Sequence, residues 1–173
     1  QDVNMEYLIE NIRVFIPDDY GDCDMVMQVI VPQPAGRIGG SDTHVLQLSA
    51  QQKLTGFLKP VVLFCRNPEY EEKLRALGVA YISCVNEHKL TKILKSIGKI
   101  TFADRIKVIH SHQYNANFLT YAIKKRFKKT FGKIPTVMTC HGWIENNLKC
   151  FITTRSNLVL LFSPTKLLCG VII

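Results

Sequence analysis

The chain has no run of about 18 consecutive apolar residues, so no transmembrane helix is expected. It has no basic-then-apolar leader of the secretory type. Its six cysteines (Cys23, Cys65, Cys84, Cys140, Cys150 and Cys169) contain no C-x-x-C pair. Scattered through apolar runs, they read as buried free thiols of a reducing compartment. These absences make the cytoplasm the expected location. Two familiar phosphate-binding signatures are also missing. Gly36, Gly39 and Gly40 have the wrong spacing for G-x-G-x-x-G, and no Gly-Lys-Ser/Thr follows them. There is no internal repeat and no low-complexity segment. Tryptophan occurs once, as Trp143.

Acidic residues are unevenly placed. Residues 1–24 hold seven of the 14 acids against one base, Arg13. The remaining residues hold 21 bases and seven acids. A body this basic favours anionic partners: phosphate groups, nucleotides, nucleic acid or an anionic membrane surface. The opposite charge of residues 1–24 marks them as an expected appendage, with a short helix or strand near residues 7–16.

With 173 residues and 47% hydrophobic composition, the chain can bury one substantial core. From Met25 onward the pattern alternates. Strands are expected at 25–31, 61–65, 79–83, 106–109 and 136–139. Between them fall helices at 41–54, 70–77, 89–97 and 117–127, the last with Phe118, Leu119, Tyr121, Ala122 and Ile123 inward. Such alternation implies βαβ units: a Rossmann-like three-layer α/β/α fold with a mainly parallel sheet. The apolar tail, 155–173, is broken by Pro164 and could supply one or two further strands, or be truncated or aberrant. The expected division is therefore 1–24, 25–154 and 155–173.

Three of the expected strands end in small polar or histidine-bearing knots. The first leads into Gly39-Gly40-Ser41, the fourth into His110-Ser111-His112, and the fifth into Cys140-His141-Gly142-Trp143. In an open α/β sheet, ligands bind outside the carboxyl ends of the strands. The glycines could bring backbone N–H groups to an anion at a helix N-terminus, or could simply form a tight turn. Trp143 could be core or the wall of a sugar pocket.

The order and spacing of these pieces resemble the N-terminal domain of a GT-B glycosyltransferase of the family 4 type. The resemblance rests on Gly39-Gly40 after the first strand, on Val108-Ile109-His110-Ser111-His112, and on the segment from Pro135 through Thr139 to His141-Gly142. It covers roughly residues 25–150. There are departures: Gly56-Phe57 stands where Gly-His is common, and the acid after Gly-Gly, Asp42, comes one place late. The family's donor-domain motif, Glu-x7-Glu, occurs nowhere in these 173 residues. The chain is therefore expected to end before a donor-binding domain and to be inactive alone.

The resemblance implies a retaining, metal-independent transfer of a sugar from a nucleotide diphosphate to an unknown acceptor, with no cofactor. It implies that His141 touches the transferring sugar or leaving phosphate. Gly39, Gly40 and Arg37 would serve the donor phosphates, with Lys149 a further candidate. His112, Asn115 and Trp143 would line the acceptor side. No nucleic-acid partner is expected. The basic segment Lys124, Lys125, Arg126, Lys128 and Lys129 is either a solvated helix end or a docking point for anionic membrane. Two other readings stand beside this one. His-x-His after a buried strand could begin a metal-dependent hydrolase site completed by His141, and the chain could be a non-catalytic binding domain.

Overall fold

A computed structural model describes residues 5–33, 37–65, 67–84, 89–140, 161–163 and 166–172. Five central strands form a parallel sheet, and the first three of them in the chain are buried on both faces almost throughout. The five are β3 (Met25–Ile30), β4 (Lys59–Cys65), β5 (Ala80–Cys84), β6 (Ile106–His112) and β7 (Thr136–Cys140). Their spatial order is β5-β4-β3-β6-β7, all parallel. Numbered along the chain, these five strands lie third, second, first, fourth, fifth. That is Rossmann-like order, with its topological switch point between β3 and β6.

Strand alternation sends side chains to two cores. Val61, Leu63 and Cys65 of β4 join one cluster with Ile93 and Ile97 of α3 (Leu90–Ile97) and Ala116, Leu119 and Ile123 of α4 (Gln113–Arg126). Val62 and Phe64 join the other, with Val45 of α1 (Gly40–Thr55) and Tyr70 and Leu74 of α2 (Pro68–Ala76). Helices α1 and α2 therefore cover one face and α3 and α4 the other, which makes the expected three layers.

The structure differs from expectation at three places. Residues 5–24, the described part of the acidic segment, do not stand apart. Strands β1 (Met5–Ile9) and β2 (Ile12–Ile16) form a hairpin, and β2 pairs antiparallel with β5. Ile12, Val14, Phe15 and Ile16 are buried. That strand pairing and burial dock them, and the opposite charge adds surface ion pairs around the seam: Glu6 meets Arg75, Glu10 meets Lys95 and Lys99, Asp19 meets Lys53, and Asp24 meets Lys107.

Second, 110–112 is strand rather than loop, because Ser111 pairs with Val29 and His112 with Thr139. Helix α4 begins at once through Gln113, whose φ is 70°. Third, the buried stripe of α4 is Ala116, Leu119, Thr120 and Ile123, so Phe118 and Tyr121 lie outward, 55% and 49% exposed. A residue one place from a buried stripe points about 100° away from it. At the other edge β9 (Lys166–Ile172) pairs antiparallel with β7, and β8 (Leu161–Ser163) with β9.

Candidate functional site

The switch point brings together the end of β3, the start of α1 and the end of β6. Asp42 holds the two described ends of the connection from β3 to α1. Its Oδ2 accepts the backbone N–H of Gly39 at 2.9 Å and of Gln33 at 3.2 Å. Asp42 is 1% exposed, and Oδ1 has no hydrogen-bond partner among the described residues. The Tyr70 hydroxyl donates to the Asp42 backbone carbonyl at 3.0 Å. Burial, and then the Asp42 charge, raises the Tyr70 phenol far above its ordinary value, so it remains a donor. Asn67 closes the brace by donating to Gln33 O at 2.9 Å. The late acid of the Gly-Gly loop is thus a structural cap that aims the loop.

Neither glycine is demanded by its backbone. Gly39 has φ −79° and Gly40 opens α1; neither is among the positive-φ glycines. A Cβ on Gly40 would meet nothing within 4 Å, and one on Gly39 would meet Asp42 Oδ2 and Gln33 Cγ at an ordinary 3.5 Å.

His110 and His112 lie two apart on β6 and so share a sheet face. Their ring centroids are 4.0 Å apart, and His44 of α1 lies 6.1 Å from His112. His112 is fully buried, with Nε2 2.7 Å from Gln28 Oε1. Gln28 in turn donates from Nε2 to Gln52 Oε1 of α1 at 2.9 Å. His110 is half-buried, and its Nε2 lies 2.8 Å from Thr139 Oγ1 on β7. Ser111, on the opposite face, donates to Asn117 Oδ1 at 2.6 Å. Gln113 reaches across the switch point to Ser41 Oγ in the first turn of α1.

The expected site residues are thus only partly assembled. Gly39, Gly40 and exposed Arg37 share the loop before α1. His112 is buried on the α1 side and is not open to a ligand. Asn115 lies on the other side, exposed, in a groove of about 180 Å³ lined also by Val31, Cys65, Leu90, Ile93, Phe118 and Leu119. His112 and Asn115 therefore do not form one surface. His141, Trp143 and Lys149 lie outside the described residues, the first of them one residue beyond the end of β7. Among the described residues no three His, Cys, Asp or Glu side chains are placed to hold a metal ion, and no helix is long and apolar enough to cross a membrane.

Sequence reasoning missed Gln28, Gln52 and Gln113, and named Ser41 only as part of the first knot. Gln28 did carry a signal: it is the one polar residue in the run MVMQVI of β3, and a buried polar side chain requires a partner. The left-handed Gln113 has no such signature.

A family model described as Glycosyltransferase Family 4 matches residues 38–163. No curated protein and no solved structure matches the chain significantly.

Proposed function

The chain belongs to glycosyltransferase family 4, and from that premise we propose that it forms one wall of a transferase cleft. A nucleotide-diphosphate sugar is the donor, and the donor-holding residues come from a second domain of GT-B type. The anomeric carbon leaves its phosphate oxygen and bonds the acceptor's hydroxyl oxygen on the same face. The acceptor's proton departs with the diphosphate. No metal is needed, because backbone N–H groups of Gly39 and Gly40 at the N-terminus of α1 meet the charge building on the leaving group, with Arg37 beside them.

His141, following β7, hydrogen-bonds the transferring sugar or the leaving phosphate, with Lys149 as a further phosphate contact. His112 is a positioning residue that braces β6 through Gln28. Asn115 supplies a hydrogen bond on the acceptor side, and Trp143 an aromatic wall.

The observation that supports this reading best is the glycine pair. The backbone requires neither glycine, and space around Gly40 is open. A tight turn therefore does not explain Gly39-Gly40, whereas close approach of a ligand does. The test is Gly40→Ala, assayed with the donor domain present and a panel of nucleotide-diphosphate sugars. Stability should change by less than about 0.5 kcal/mol, as for a surface substitution. Transfer should fall about tenfold or more, the cost of about 1.4 kcal/mol in the transition state. Unchanged transfer would sink the assignment of this loop.

A further inference from the structure

We propose that the outer face of α4 is a docking surface for an anionic lipid bilayer. Tyr114, Phe118 and Tyr121 are 50%, 55% and 49% exposed. Their spacing of four and three places them in one stripe along the helix. Lys125 continues it, its Nζ 5.9 Å from the centre of the Tyr121 ring. Beyond it Arg126, Lys128 and Lys129 are exposed. None of these four bases pairs with an acid among the described residues.

The structure also sorts the basic segment. Lys124 is turned inward, donating to Ile134 O at 2.7 Å and Thr136 Oγ1 at 3.0 Å. Phe127 packs so closely over Gly98 that a Cβ there would lie 2.6 Å from its ring. These two residues fix the end of the helix, so the remaining bases project from a rigid support.

Three large rings in water are unfavourable unless something covers them. Rings with a polar tip beside cationic side chains suit the headgroup layer, where the apolar body is buried and the tip stays wet. A second copy of this face would oppose like charge to like charge. A single-stranded nucleic acid would also stack on rings beside basic side chains, but the groove that Phe118 lines with Asn115 has Val31, Leu90, Ile93 and Leu119 as its other walls, an apolar surface rather than a basic track for a phosphate backbone. Charge and apolar continuity therefore favour a bilayer. The inference rests on exposure and charge, not on the transferase reading, so either can fail without the other.

Co-sedimentation of the full chain with vesicles tests it. Binding is expected to phosphatidylcholine vesicles that contain phosphatidylglycerol, not to phosphatidylcholine alone, and to weaken with salt. The combined Lys125→Gln, Lys128→Gln and Lys129→Gln variant should lower partitioning about 100-fold. Phe118→Ser with Tyr121→Ser should lower it about tenfold or more, with circular dichroism unchanged because neither ring is in the core. Equal binding to neutral and anionic vesicles, or no binding, would overturn the proposal. So would lysine variants that bind like the parent, or retention on single-stranded RNA at a salt concentration where vesicles are not bound.

Discussion

Gln28 is a polar side chain inside a strand whose every residue is buried. Its amide is used at both ends, accepting from His112 and donating to Gln52. Replacement by alanine leaves the His112 nitrogen buried without that partner and opens space beside it. Gln28→Ala should destabilise the chain by about 1–3 kcal/mol, the usual cost of an orphaned buried polar group, measured by urea unfolding. A change below about 0.5 kcal/mol would mean that His112 is held by something else. At this scale the sequence was informative about which residues are unusual and poor about what they do. His112 stands out as half of His-x-His, but only its partners reveal a brace rather than a ligand contact. Asp42 was legible as the acid after Gly-Gly, while its role as the acceptor for Gly39 and Gln33 depends on where the loop folds back.

The edge hairpin carries two carboxyls that are held below their ordinary value, Glu6 and Glu10. Glu6 is held below its ordinary value first by the hydrogen bond that Arg75 donates, and Glu10 first by that from Lys99. A carboxyl whose folded value is lowered stabilises the fold above its unfolded value, 4.5 for both. That contribution is lost as pH falls through the lowered folded value. Amide protection in β1 and β2 should therefore fall several-fold between pH 6 and pH 3 while β4 stays protected. Equal loss in both strands would show that the carboxyls do not hold the hairpin. Arg75 also lies over the Phe15 ring, 4.9 Å from its centre, so part of the docking persists at low pH. Element by element, the strands and helices from Met25 to residue 139 were legible because period-2 and period-3.6 patterns report burial directly. The hairpin and the direction of α4 were not. Both depend on which neighbour covers a face, and local sequence carries no record of that neighbour.

As a whole molecule, the chain sets an open, mainly parallel sheet with antiparallel margins between two helical layers and lines up three strand ends on one side. The described part supplies a loop end aimed by Asp42, a pair of histidine rings tilted together on β6 and a groove beside α4. The Glu-x7-Glu of the family's donor domain is absent from the sequence. The 173 residues alone should therefore show no hydrolysis or transfer of nucleotide-diphosphate sugars, and activity should appear when a donor domain is supplied and persist in EDTA. Turnover by this chain alone, or stoichiometric zinc or manganese in the purified protein, would overturn that reading.

The sequence by itself determined the alternation of strand and helix, the parallel core and the family motifs at the strand ends, because each is written in local periodicity and spacing. Only the tertiary structure decided that the acidic first residues belong to the sheet, that His112 is buried while Asn115 faces another groove, and that three aromatic rings of α4 face water. Each of those depends on which surfaces meet, and long-range pairing and charge matching decide that.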